Sequence, residues 1–205
     1  RFLSATANKE RGLYLAFNRA IAKEAKSVFN PKTDCRTTHS AALQQIRGQY
    51  AFSNKKLYTD ISPKQLASVL ELELYDAGVM SLEPDMIAHL ILSTVRQFCQ
   101  SGDERISATH AQLAGRALGL PEERKKDLQE VILQHAVRLW EEKTNEKSEM
   151  PLGHDGYLKL WSLSKPKLAY SFILLDEAQD TNPAVLSVLK AQTSQVIYVG
   201  DKHQQ

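Results

Sequence analysis

The sequence is poor in the features that would fix its class at once. Of 205 residues only two are cysteines, Cys35 and Cys99, 64 positions apart. That spacing suits neither a disulfide framework nor a zinc site, so both thiols are expected to be reduced and packed. The six histidines have no HxxxH or CxxC companion, which leaves no metal cage to propose. No apolar run approaches the roughly 20 residues that a membrane span requires. Arg1 to Glu10 also lack the continuous apolar core of a secretory signal. A soluble, intracellular protein with no membrane attachment is the expectation.

What is present is ordinary in amount and uneven in placement. A hydrophobic share of 42% supplies a real core, and charged residues stand at an average 24%. The length allows one domain, or one domain carrying a large insertion. The net charge is only +2, yet residues 1–60 hold eleven Lys/Arg against four Asp/Glu and residues 61–205 hold fifteen against twenty. A basic first third favours a phosphate-backbone partner, and solvated helix faces explain such an imbalance about as often.

Gly12-Leu-Tyr-Leu-Ala-Phe17 is a nearly unbroken apolar run of the kind found in a strand buried on both faces. Ala20 to Val28 reads as a helix closed by Asn30-Pro31, because the residue before a proline is disfavoured in helical geometry. A second strand is expected over Asp34 to Thr38, then a helix from Ser40 to Ile46 ending near Gly48.

From about Asp60 to Met150 the pattern is helical, with no convincing strand. Ser62-Pro-Lys-Gln65 has the form of a capping box with proline at the first helical position. Stripes follow at helical spacing: Leu66, Val69, Leu70 and Leu74, then Met86 to Phe98, then Leu128 to Leu139. A short helix over Ala108 to Leu118 would stop at Gly119. Strand character returns in Ser171-Phe-Ile-Leu-Leu175, followed by a helix capped by Asn182 and opened by Pro183, then a last strand over Gln195 to Val199. Strand, helix, strand, helical block, strand, helix, strand is an α/β pattern with a parallel sheet. Ligands of such sheets gather at the carboxyl ends of the strands, where Asp176 and Asp201 both fall.

Phe172-Ile-Leu-Leu-Asp-Glu-Ala-Gln-Asp180 carries the most chemistry. Four apolar residues followed by Asp-Glu form a Walker B element, in which a rigid strand delivers one carboxylate to a magnesium ion, a hard cation that takes oxygen ligands. The next carboxylate can orient and deprotonate a water for attack on a γ-phosphate. Asp176 is therefore expected to hold Mg2+ and Glu177 to act as general base. The competing reading, a strand ending in an acidic surface turn, is weakened by the Ala-Gln-Asp that follows. In Val199-Gly-Asp-Lys-His-Gln-Gln205, Gly-Asp permits a tight turn beside that strand, and the amide of Gln204 can reach a phosphate oxygen. Asp176, Asp201 and Gln204 make up the expected nucleotide-binding set, with Glu177 and Gln204 on the catalytic side.

These two stretches resemble motifs II and III of the UvrD, Rep and PcrA helicases of superfamily 1. Tyr14-Leu-Ala-Phe-Asn-Arg-Ala-Ile-Ala-Lys-Glu-Ala25 is similar to their motif Ia. Arg36-Thr-Thr-His-Ser-Ala41 is similar to motif Ib, where the family usually has Thr-Phe-His-Ser. His154-Asp-Gly-Tyr-Leu-Lys-Leu-Trp161 with Leu163-Ser-Lys-Pro166 resembles the branch that includes the eukaryotic F-box DNA helicase and its bacterial relatives. The resemblance implies a RecA-like P-loop NTPase sheet with a large all-helical insertion. Residues 1–55 and 151–205 would then form domain 1A, and residues 56–150 subdomain 1B.

The resemblance further implies an ATP-dependent DNA helicase using ATP and Mg2+, moving 3′ to 5′ on single-stranded DNA or at junctions with duplex. Motif Ia would set Phe17, Asn18 and Arg19 against the strand, and motif Ib would set Thr38, His39 and Ser40 on its backbone. An aromatic platform with hydroxyl and cationic contacts to phosphates is a sequence-tolerant grip. From the residues alone, Phe17 reads better as core, and His39 reads equally as a DNA contact or as satisfied by nearby backbone; position within the family pattern moves both towards DNA. Tyr157 and Trp161 read as core packing, and the charged run from Glu122 to Asp127 as a solvated face.

No G-x-x-x-x-G-K-[ST] loop occurs in these residues. Family order would put it immediately upstream, with Arg1 to Ala7 as the remainder of its helix, so these 205 residues alone are expected to be inert. A non-hydrolysing module that holds DNA or a partner is the alternative, although intact Asp176 and Glu177 argue against decay. An ATPase acting on RNA or protein fits Walker B but not the other matches. Short linkers favour a bacterial, cytoplasmic protein; a eukaryotic one would be nuclear.

Overall fold

The computed structural model describes residues 10–201. Two compact units divide the chain. One joins residues 1–49 to residues 158–205, and the other is residues 50–157.

The first unit is built on four parallel strands, β1 (Gly12–Ala16), β2 (Thr33–Thr37), β5 (Phe172–Leu175) and β6 (Gln195–Tyr198), in the order β2-β1-β5-β6. Burial follows position. All four residues of β5 and four of the five in β1 are buried, as central strands covered on both faces must be, whereas the edge strand β6 is half-open. Helices α1 (Arg19–Val28), α2 (Thr38–Gln49) and α8 (Pro183–Lys190) belong to this unit. Leu13, Leu15, Ile46, Trp161, Ile173 and Leu189 are all within its core. Asn182 caps α8 by accepting from Ala184 N, with Pro183 at the first helical position as expected. The fold is thus the RecA-like parallel sheet with flanking helices and a helical insertion.

The second unit contains α3 (Asn54–Tyr58), α4 (Pro63–Val69), α5 (Pro84–Gln100) and α6 (Glu122–Thr144), and α7 (Gly153–Leu163) begins in it. The capping box at Ser62 and Gln65 is closed in both directions. Ile91, Phe98, Leu128, Ile132 and Leu139 form its core, with the Phe98 and Trp140 rings edge-to-face at 5.3 Å. Cys35 and Cys99 are buried thiols outside any disulfide, each in its own unit.

Three features differ from the sequence reading. The helix after Ser62 ends at Val69, so Leu74 lies beyond it, and Val69 and Leu74 are exposed instead of lying on a buried stripe. A two-stranded hairpin, β3 (Tyr75–Asp76) and β4 (Ser81–Leu82), interrupts the helical block. Its strands are too short to display alternation, and its turn is set locally by the Asp76 carboxylate accepting from Gly78 N at 2.8 Å, with Gly78 at φ 80°. Over Ala108 to Leu118 the only helical segment is a 3-10 turn at Gly115–Gly119. His110 there accepts from Ser107 N, and Gly115 turns left-handed at φ 59°; both divert the backbone from an α-helix.

Two buried lysines hold the loop after α6. Lys56, 4% exposed, donates from Nζ to the carbonyls of Glu142 (3.3 Å), Ser148 (2.8 Å) and Met150 (2.8 Å). Lys143 donates to the carbonyls of Pro151 and Leu152. Burial lowers the pKa of both, and for Lys56 the neighbouring Lys143 charge adds to the effect. A base with a lowered folded-state pKa binds protons more readily once unfolded. Each lysine's charge therefore costs stability at neutral pH, and that cost fades as pH rises towards the ordinary lysine value. Even so, Lys56→Met is expected to lower stability by about 3 kcal/mol, because three carbonyls lose their donor together. Urea unfolding at neutral pH measures this; an unchanged midpoint would mean that water replaces the ammonium at no cost.

Candidate nucleotide and DNA site

Parallel pairing brings the carboxyl ends of four strands to one edge of the sheet. Gly12 lies opposite Thr33 and Phe172, and Phe172 opposite Gln195, so the strands end nearly level. Along that edge stand Thr38, His39 and Ser40 after β2, Phe17, Asn18 and Arg19 after β1, Asp176 and Glu177 after β5, and Gly200 and Asp201 after β6. With neighbouring strands about 4.8 Å apart, the whole row spans roughly 14 Å. Gln204 lies outside the described residues, as do Arg1 to Ala7.

Asp176 is fixed from two directions. Its N–H donates to Leu15 O at 3.0 Å, which carries the β5–β1 ladder one residue further. The Tyr14 hydroxyl donates to its Oδ2 at 2.6 Å. Tyr14 is level with Leu174, so Asp176, two residues on, is its diagonal neighbour on the same sheet face. Burial first, then the bond to Asp176 and its negative charge, push the Tyr14 hydroxyl far above the ordinary tyrosine range. Tyr14 therefore serves as a neutral donor to that carboxylate at any physiological pH.

Glu177 has a left-handed backbone, φ 48° and ψ 50°. For a residue with a side chain this stores on the order of 1–3 kcal/mol, held only where the surroundings enforce it. The next residues enforce it here. Ala178 N donates to Val199 O at 2.9 Å, and Ala178–Asp180 form a 3-10 turn. The Gln179 amide nitrogen donates to Glu177 Oε2 at 2.6 Å and to Asp180 Oδ2 at 3.3 Å. At its other end, Gln179 Oε1 accepts from Asp201 N at 3.2 Å. Gly200 leaves room for this approach: a Cβ there would stand 2.2 Å from Gln179 Oε1 and 3.2 Å from Ala178 N. Neither Tyr14 nor Gln179 was given a role by sequence reasoning, since strand register and a turn bring each to its partner.

The DNA-side residues separate into two kinds. Phe17 is 61% exposed, which excludes the core reading of this residue. Asn18 caps α1, its side chain accepting from Ile21 N at 3.0 Å. Arg19, His39 and Ser40 are exposed and Thr38 is half-buried. Ser40 N donates to Thr37 Oγ1 at 3.2 Å at the start of α2. Neither α1 nor α2 carries an acidic residue in its first turn. Each amino end is capped by a neutral side chain, Asn18 or Thr37, so no carboxylate offsets its positive dipole. Tyr157 and Trp161 are 2% and 0% exposed and are core residues, as expected.

Among the described residues no cluster of three or more His, Cys, Asp or Glu side chains could cage a metal. Magnesium does not need one, because it commonly takes one or two carboxylates and completes its shell with water and phosphate oxygens. Half-buried Asp176, a hard oxygen donor at a strand end, fits that demand. No helix of the described residues is long and apolar enough to cross a membrane.

A family model described as the UvrD/REP helicase N-terminal domain matches residues 4–205. F-box DNA helicase 1 of Gallus gallus is 31% identical over 204 residues, covering 94% of this chain and 19% of that protein. F-box DNA helicase protein 1 of Schizosaccharomyces pombe is 31% identical over 209 residues, covering 96% of this chain and 23% of that protein. The chain therefore spans about a fifth of the length of these curated relatives.

Proposed function

The chain belongs to the UvrD/REP helicase family, and on that premise we propose that it forms part of the motor of an ATP-dependent DNA helicase that travels along single-stranded DNA, 3′ to 5′ by resemblance. In this reading the sheet unit is domain 1A and residues 50–157 correspond to subdomain 1B. The observation that carries it is the single row of strand ends, which puts an Asp-Glu pair beside an exposed aromatic and two helix amino ends that carry no acidic residue.

Magnesium bound with ATP would neutralise phosphate charge. Asp176 would hold the ion, with its carboxylate oriented by Tyr14. Glu177 accepts the proton of the attacking water, its carboxylate aimed by the strained turn and by Gln179. Asp201 and, by resemblance of the sequence motif alone, Gln204 would contact the phosphates. Phe17 stacks on a base, while Arg19, Thr38, His39 and Ser40 meet the strand's phosphates. Asn18 contributes as the cap that fixes the start of α1. The 205 residues hold no G-x-x-x-x-G-K-[ST] loop, so the hydrolysis proposed here is to be measured on the full-length protein. Its place is wherever the cell keeps its DNA, the cytoplasm of a bacterium or the nucleus of a eukaryote.

ATP hydrolysis by the full-length protein, with and without single-stranded DNA, tests the reading. Strong stimulation supports the motor. DNA binding with no hydrolysis would replace it with a binding module. Phe17→Ala is expected to weaken single-stranded DNA binding by about 1–3 kcal/mol, roughly five- to 150-fold. Fluorescence anisotropy with a labelled oligonucleotide measures it, and unchanged affinity would remove Phe17 from the interface.

A further inference from the structure

The Gln179 side chain adds a side-chain link between two segments that the backbone bond from Ala178 N to Val199 O already brings together. Its amide nitrogen is 2.6 Å from Glu177 Oε2, and its amide oxygen is 3.2 Å from the backbone nitrogen of Asp201, 22 positions along the chain. A primary amide is suited to this task because one planar group presents a donor at one end and an acceptor at the other. A carboxylate in its place could accept from Asp201 N–H but would repel Glu177. An aliphatic side chain could do neither.

We propose that Gln179 is a positioning residue that couples the loop after β6 to the orientation of Glu177. This rests on the reading of Glu177 as general base. When the Gly200–Asp201 loop keeps its place, the amide stays in plane and the Glu177 carboxylate is held in one direction. When the loop shifts, the amide swings and the carboxylate loses its guide. The left-handed backbone of Glu177 makes the guide necessary, since the strained conformation has no helix or strand of its own to aim the side chain. Gly200 is the second half of the device. A methyl group there would collide with Gln179 Oε1, the movable end of a side chain, so the inexpensive relief is for the amide to rotate away and release both bonds. The loop reports what occupies the strand ends beside it, and Gln179 transmits that report to the base.

The test is steady-state ATP hydrolysis by the full-length protein at saturating single-stranded DNA. Gln179→Ala is expected to lower kcat by about tenfold or more, with KM for ATP kept within about twofold, because alignment is lost and binding is not. Gln179→Glu keeps the acceptor for Asp201 N–H and is expected to lose at least as much, a result that a purely structural role for the Asp201 bond would not give. Gly200→Ala is expected to lose kcat to a similar degree. Combined with Gln179→Ala it adds little further, the remainder coming from its 3.2 Å approach to Ala178 N. Gln179 is half-exposed, so the variants are expected to keep wild-type melting curves. Wild-type kcat in Gln179→Ala, a loss confined to KM, or losses that multiply in the double variant would overturn the proposal. Glu177→Gln in the same assay separates the two levels. If it hydrolyses ATP normally, the base assignment fails; if it is inactive while Gln179→Ala is normal, only the coupling fails.

Discussion

Glu177→Gln in the full-length protein is expected to lower DNA-stimulated ATP hydrolysis by about a hundred- to ten-thousand-fold while ATP binding survives. The substitution is nearly isosteric and removes only the capacity to take a proton. Gln179 can still turn its amide to the new side chain, and the left-handed turn is held by backbone bonds such as Ala178 N to Val199 O, which the change does not touch. The loss should therefore appear in kcat. Single-turnover hydrolysis and equilibrium binding of a fluorescent nucleotide, measured on one preparation, separate the two quantities. A rate within a few-fold of wild type would remove Glu177 from proton transfer.

Asp176→Asn tests the neighbouring carboxylate and should fail differently. An amide oxygen still accepts from the Tyr14 hydroxyl, so the strand end and its hydrogen bond persist. What disappears is the negative charge that attracts a hard cation. Hydrolysis is expected to fall by about a hundred- to a thousand-fold, the scale of several kcal/mol of charge stabilisation, and the remaining activity should require much more magnesium. A magnesium titration of the residual rate is the measurement. Wild-type magnesium dependence would show that Asp176 does not hold the ion. Tyr14→Phe makes the reverse change, keeping the charge and removing its donor, and a smaller shift in the same direction is expected.

The sheet was legible because its two central strands are apolar runs. Phe172–Leu175 and Gly12–Ala16 can be buried on both faces only in a covered parallel sheet. The hairpin at Tyr75–Asp76 and Ser81–Leu82 was not, since two-residue strands leave no period to read. At the candidate site, the adjacent Asp176 and Glu177 announce themselves by residue type and position after a strand. Phe17 does not: the last apolar residue of an apolar run looks buried, and only the end of β1 at Ala16 and the turn into α1 leave it exposed. Asn18 reads equally well as a contact or a cap until Ile21 N is seen to reach it. The bonds of Tyr14 and Gln179 lie deeper still, since they depend on the register of strands far apart in sequence and on the angle of one strained turn.

That register also sets a clock. Gly12 pairs with Phe172, so β1 must wait for a partner made 160 residues later. At 5–20 residues per second a ribosome takes roughly 8 to 32 s to cover that distance. Residues 50–157, contiguous in the chain, can close their own core within the interval, whereas β1 has β2 beside it and nothing on its other side. Leu13 and Leu15, fully buried in the finished sheet, spend those seconds as unsatisfied apolar surface. Newborn chains are thus most open to misassembly, and most in need of a chaperone, between the synthesis of β2 and the arrival of β5.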